Sequence, residues 1–348
     1  MAMTIDGSYG EGGGQILRTA LSLSAVLGKD VEIERIRCGR EKPGLRPQHL
    51  AGVRALARIV SAKLEGDEIG SQCLSFSPGR AMGGIYRFNV AEERGSAGAV
   101  TLVLQVLLLP LALGTSSSEV TILGGTHVPW SPPFHYLSMV LLPTLARMGL
   151  FCEAEIERWG WYPKGGGVVR VKILPVEELK SIDLSTRGRP TRILGISGTS
   201  NLPIHIALRQ KERAHQRIKA RLGFVPEIRI MDQAPSPGQG TVLFLVLESE
   251  GGVSGFSALG RRGKRAEVVA DEAVDQLMEH IESERCIDPH LSDQLIPFTA
   301  LAKDKSVFTV SRITRHLLTN IWVVKQFLDV RIDVEGREGE PGRIEIYP

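Results

Sequence analysis

QILRTALSLSA (residues 15–25), QVLLLPLALGT (105–115) and QLIPFTALAKD (294–304) each place a glutamine ahead of an apolar run with helical spacing. After each run comes a segment rich in β-formers: VEIERI (31–36), EVTIL (119–123) and SVFTV (306–310). A loop, a second helix-like segment and two further β-rich segments follow. The closing pairs are EAEIE (153–157) with VVRVKIL (168–174), and VRIDV (330–334) with RIEIY (343–347). This order predicts an α+β body of three repeated helix-strand-helix-strand-strand units. So few units, each with strands, disfavour an extended helical solenoid.

The first two glutamines are 90 residues apart and the last two 189, an excess of 99 residues in the second interval. An inserted α/β domain accounts for it, because a structureless loop of that length is rare in a compact chain. The insert is expected at 184–285, entered through the turn-rich DLSTRGRP (183–190). It has strand-like TRILGIS, TVLFLVLES and VSGFSALG, and helix-like PIHIALRQKERAHQRIKARL and KRAEVVADEAVDQLMEHIESE. The apolar face of the second helix is a candidate to pack on the body. Residues 1–183 then hold repeats one and two, and 286–348 repeat three.

Length and composition agree with a globular protein. The 348 residues exceed what one core usually serves, and 43% hydrophobic with 23% charged residues excludes disordered and collagen-like chains. The longest apolar stretch, Ala99 to Leu113, is broken by Gln105 and Pro110. It falls short of the roughly 18–20 residues that cross a bilayer and is expected as a buried helix, so no membrane partner is expected. Cys38, Cys73, Cys152 and Cys286 have no paired spacing, which suits reduced thiols in a cytoplasmic protein. MAMTIDGSYGEGGG has no basic region followed by an apolar run and is not expected to be a secretion signal. A homo-oligomer is left open.

A net charge of +3 does not establish nucleic-acid binding, but its distribution is uneven. Arg35, Arg37, Arg40, Lys42, Arg46, Arg54 and Arg58 face a single acid, Glu41, within one stretch. Charge alone reads this as a solvated face. SYGEGGGQILRTALSLS (8–24) is a glycine-rich turn feeding a helix, where backbone amides can hold an anion. It is no Walker A motif, since GxxxxGK[ST] occurs nowhere in the chain. Taken alone, a structural turn explains it as well as a phosphate site does.

DGSYGEGGGQILRTALSLS (6–24), GREKPGLRPQHLAGV (39–53), WGWYPKGGGVV (159–169), HLSDQLIPFTALA (290–302) and ITRHLLTNIWVVKQF (313–327) occur in the order and at the spacings of the RNA 3'-terminal phosphate cyclases. The chain resembles that family nearly end to end, insert included. Gly160, Pro163 and Gly165 to Gly167 match its glycine-rich pattern, whereas Trp159 stands where Arg or His usually precedes the first glycine. The resemblance implies ATP as a substrate, a histidine-AMP intermediate, an adenylylated RNA end, and a 2',3'-cyclic phosphate product. The family's nucleophile falls on His316. Flanking Arg315 and the positive end of a helix are expected to favour neutral imidazole and bound phosphate. For the nucleotide the resemblance points to Gln105, Asp293 and Gln294, with Pro132, Tyr136 and His290 as an adenine sandwich. Read without it, Gln105 and Gln294 are helix caps and PPFHY is a loop. Glu11 is the implied carboxylate for a divalent cation, Mg2+ or Mn2+. An RNA with a 3'-phosphate end is the implied partner, met by Arg18, Arg37, Arg40, Gln48 and His49, with Lys42 and Arg46 as further candidates.

Two other functions compete. A non-catalytic, cyclase-like RNA-binding or ribosome-assembly protein would lack the nucleophile, and His316 speaks against it. An enolpyruvyl transferase would need a shikimate or amino-sugar site.

Overall fold

The computed structural model describes residues 2–90 and 97–348. The first sheet is built from β1 (Met3–Asp6), α1 (Gly14–Leu27), β2 (Val31–Glu34), α2 (Pro47–Val60), β3 (Lys63–Glu65) and β4 (Leu74–Ser77). Its strand order is β1-β2-β4-β3, with β1 parallel to β2 and β4 antiparallel to both its neighbours. The next run comprises β5 (Ile85–Asn89), α3 (Val100–Ala112), β6 (Ser118–Gly124), α4 (Phe134–Tyr136), a π-helical turn at Leu137–Leu141, α5 (Leu142–Arg147), β7 (Cys152–Arg158) and β8 (Gly167–Ile173). It repeats the order as β5-β6-β8-β7 with the same directions.

A third sheet of the same order, β9-β14-β16-β15, begins with β9 (Asp183–Leu184). It is completed by α8 (Pro289–Thr299), β14 (Ser306–Val310), α9 (Arg315–Phe327), β15 (Arg331–Glu335) and β16 (Gly342–Tyr347). Each sheet thus has a strand ahead of its first helix that the repeat pattern omits. These leading strands are edge strands with little to reveal them: β1 buries Ile5 alone, Ile85 in β5 is 83% exposed, and β9 has two residues. Leu184, the expected first residue of the insert, pairs with Phe308 of β14.

Between β9 and α8 lie β10 (Pro190–Ser200), α6 (His205–Leu222), β11 (Glu227–Met231), β12 (Gly240–Ser249), β13 (Val253–Leu259) and α7 (Ala266–Ser283). They form their own sheet, β11-β10-β12-β13. Because side chains alternate along a strand, β12 has two dry faces. Leu243, Leu245 and Leu247 meet Ile218, Val269, Ala273 and Leu277 in a separate core, while Val242, Phe244 and Val246 join the main one. The face of α7 expected on the body therefore packs on this sheet instead. The body meets the other side of the same sheet.

In the body α1 packs against α2, α3 and α9, and α8 against α9. Helix α3 is buried on almost every side, as its nearly unbroken apolar sequence demands. No helix among the described residues is long and apolar enough to cross a membrane.

Candidate active site

Helix α9 starts at Thr314, whose hydroxyl accepts from Leu317 N at 3.1 Å. Such a cap fixes the first turn, and with it His316. The glycine-rich turn is pinned against the same helix: Gly12 N donates to Tyr9 O at 2.8 Å and Glu11 N donates to Thr319 Oγ1 at 3.3 Å. Gly10 and Gly12 take φ of 55° and 57°, left-handed values that cost glycine little. This geometry sets Glu11 Oε2 directly against His316 Nδ1. Among the described residues no hydrogen-bond donor of good alignment reaches Oε2, so the contact is one of charge. Arg40 Nη2 holds the other carboxylate oxygen and the Glu11 carbonyl, each at 2.9 Å.

The Glu11 carboxylate raises the His316 pKa above the ordinary value, against the opposing effect of burial, and Asp293 adds to the rise. Burial pushes Glu11 the other way, but His316, Arg40 and Arg18 outweigh it and its pKa is lowered. The expectation that Arg315 keeps the imidazole neutral fails. Successive helical residues do not face each other, and Arg315 turns to Glu338, with Nη2 at 3.0 Å from Oε1.

Beside this pair lies a cationic shelf around the start of α1. Gly13 at its N-cap offers no side chain, so the first amides have no capping partner. A Cβ on Gly14 would stand 2.6 Å from His49 Nε2 and 3.0 Å from Arg18 Nη1, which is why only glycine fits there. His49 Nδ1 accepts from Arg46 N at 3.2 Å. Burial, helped by Arg37, Arg18 and Arg46, holds the His49 pKa down to about 3. The ring is therefore neutral, and Nε2 carries the proton toward Gly14. Burial also lowers Arg18 to about 10, which leaves it charged, with an Nε that has no hydrogen-bond partner among the described residues.

Helices α1, α3 and α8 then line a cleft with Gln15, Arg18, Gln105, Asp293 and Gln294 above an apolar floor that includes Leu109 and Phe298. Gln105 Nε2 donates to Gln294 Oε1 at 2.7 Å. The three glutamines that open the repeated stretches thus converge on one cavity. Burial lifts the Asp293 pKa to about 6, although His290, His316 and Arg18 pull it back. Asn320, fully buried on α9, ties the assembly together. Its Oδ1 accepts from Gln15 Nε2 at 3.1 Å and Thr19 Oγ1 at 2.6 Å, and its Nδ2 donates to Asp293 O at 2.7 Å.

Comparison with known proteins decides the family. The model described as "RNA 3'-terminal phosphate cyclase" matches residues 9–334. The chain belongs to the RNA 3'-terminal phosphate cyclase family. Proteins of that name from Methylococcus capsulatus and Thermococcus onnurineus are 47% and 46% identical to it, over 99% of this chain and 96% and 98% of theirs. The enolpyruvyl transferase NikO from Streptomyces tendae aligns with 99% of this chain and 48% of its own at 11% identity, but with a TM-score of 0.36 that likeness carries no weight.

In this cyclase-family chain the charge-biased stretch divides in two. Arg35 pairs with Asp6, Arg54 with Asp67, and Arg58 lies over Phe88. Arg37 and Arg40 instead belong to the shelf, where Arg40 and Arg46 lower the Arg37 pKa after burial does. Gln48 Oε1 accepts from Ala99 N at 3.3 Å. Of the residues expected to sandwich adenine, His290 is exposed and Pro132 partly so, whereas Tyr136 is 2% exposed, its ring edge-on to His290 and its hydroxyl donating to Asp288. Tyr136 is therefore a brace for the Asp288 cap of α8 rather than an open stacking face. The departure at Trp159 has a packing cause: its ring is buried, stacks on His127 at 4.3 Å, and adjoins Gly198 of the inserted sheet. Sequence reasoning passed over Gln15 and Asn320 as site residues. Gln15 was signalled by its place in the repeats; Asn320 by a polar residue on an apolar helix one turn after His316.

Proposed function

We propose that this chain uses ATP to convert an RNA 3'-terminal phosphate into a 2',3'-cyclic phosphate, with AMP carried on His316. The observation behind this is the contact of His316 Nδ1 with Glu11. The negative charge beside Nδ1 favours the tautomer with its proton there and leaves the Nε2 lone pair as the nucleophile. Nε2 attacks the α-phosphorus of ATP, and the bond to the β-phosphate oxygen breaks to release pyrophosphate. An oxygen of the RNA 3'-phosphate then attacks that phosphorus and frees the imidazole. Finally the vicinal 2'-hydroxyl loses its proton and attacks the RNA phosphorus, expelling AMP.

The cleft residues Gln105, Asp293 and Gln294 serve the nucleotide, with Pro132 and His290 at its edge. Arg18, Arg37, Arg40, Gln48 and His49 serve the RNA end, where charge-assisted hydrogen bonds and open α1 amides suit a terminal phosphate. Glu11 would hold a divalent cation: a lone carboxylate fits Mg2+ or Mn2+, which take most of their remaining ligands from phosphates and water. When bound, such a cation supplies charge neutralisation for the triphosphate.

Incubation with [α-³²P]ATP should label the protein with acid-labile AMP, and His316→Ala should abolish both label and cyclisation while the fold persists. A label retained in that variant would place the nucleophile elsewhere. No label on the wild-type chain would favour a non-catalytic role.

A further inference from the structure

The Tyr9 ring lies flat on the Trp322 indole, with centroids 4.0 Å apart and planes inclined by 12°. Tyr9 is nonetheless 42% exposed. A large aromatic held flat against one partner and open on its other side has already lost the rotamer freedom that binding would otherwise cost.

Its position gives the open face a use. The Tyr9–Gly12 turn contains Glu11, the residue against His316, and the hydrogen bond closing that turn keeps Tyr9 and Gly12 within about 7 Å between Cα atoms. Trp322 follows His316 by six residues on α9, about 9 Å along the axis and about 120° round it. The Arg40 guanidinium reaches the same turn by donating to the Glu11 carbonyl.

We propose that the Tyr9–Trp322 stack is a nucleobase platform that takes a base at the 3' end of the RNA substrate; this rests on the RNA-end role assigned above. Adenine of ATP is the other base within the system. Asn320, which faces Gln15 and the nucleotide cleft, is two residues from Trp322, and two residues are about 200° apart on a helix. The stack therefore lies outside that cleft, on the side of the glycine-rich turn. Stacking accepts any base, as an enzyme that reads ends rather than sequences requires.

The test measures Kd for a short single-stranded 3'-phosphorylated RNA, without ATP, for wild type, Tyr9→Leu and Tyr9→Phe. Tyr9→Leu should bind about tenfold more weakly and Tyr9→Phe close to wild type. The difference should vanish on an RNA made abasic at the terminal or the penultimate nucleotide. Self-adenylylation by ATP alone should change less than twofold. Three results would overturn the proposal: unchanged RNA affinity in Tyr9→Leu, an equal loss on both abasic RNAs, or a defect confined to ATP use, which would put adenine on the stack. Melting temperatures of the variants separate these from loss of folding. If wild type does not prefer a 3'-phosphate to a 3'-hydroxyl end, the function proposed above fails, whatever Tyr9 does.

Discussion

In the proposed mechanism His316 and Glu11 set the pH dependence of the chemistry. Attack needs neutral imidazole, and the neighbouring carboxylate raises the pKa at which it becomes neutral. Adenylylation should therefore rise with pH through that raised value and then level off. Glu11→Gln removes the charge, so the His316 pKa should fall toward about 6.5 and the acid limb move to lower pH. NMR titration of the His316 ring checks this even if activity is lost; an unmoved titration would refute it. Asp293 carries the opposite lesson. Its pKa of about 6 lies above the ordinary value of about 3.9, so between those pH values the folded chain holds a proton that the unfolded chain has released. Stability therefore falls as pH rises across that window. Asp293→Asn should raise the melting temperature at pH 7 by a few degrees, lose that advantage near pH 4, and weaken adenylylation; calorimetry at the two pH values tests it. The sequence pointed to His316 through its motif but misjudged its surroundings, because Arg315 is a chain neighbour and Glu11 is not.

At the scale of elements, Asn320 is a bolt among α1, α8 and α9. Asn320→Ala leaves the Thr19 hydroxyl, the Gln15 amide and the Asp293 carbonyl without their buried partner, at a cost of about 1–3 kcal/mol for an unsatisfied group. It should also let α9 drift from the glycine-rich turn, lowering the His316 pKa and slowing adenylylation about tenfold. A lower melting temperature with an unchanged His316 titration would make the residue structural only. Period-3.6 apolar runs made the helices readable. Leading strands such as β9 were not, since a two-residue edge strand has no pattern and exists only because β14 offers it a partner. The convergence of Gln15, Gln105 and Gln294 was half readable: their equivalence lay in the sequence, their meeting place in how the helices pack.

For the whole molecule, the turn-rich 183–190 segment marked where the fourth sheet begins, but nothing in its composition told which face would meet the body. That face is a wall for both cores. Replacing 188–283 with a Gly/Ser linker should uncover Tyr136, Val140, Trp159 and Trp161, which pack with Phe244 and its neighbours. We expect the truncated chain to lose its cooperative melting transition, followed by circular dichroism. A stably folded deletion that still adenylylates itself would show that the body stands alone.

The hydrogen bond between Gln15 and Asn320 joins residues 305 positions apart. At a synthesis rate of roughly 5–20 residues per second, α1 leaves the ribosome about 15–60 s before the helix it needs. Throughout that time the flank of α1 that meets α9 has no final neighbour, so the nascent chain is a natural client for chaperones. Chains released before Arg315 should aggregate instead of accumulating as soluble, inactive protein. Quality control thereby comes from topology: a polypeptide that stays in solution is one whose last helix, with His316 on it, has already docked.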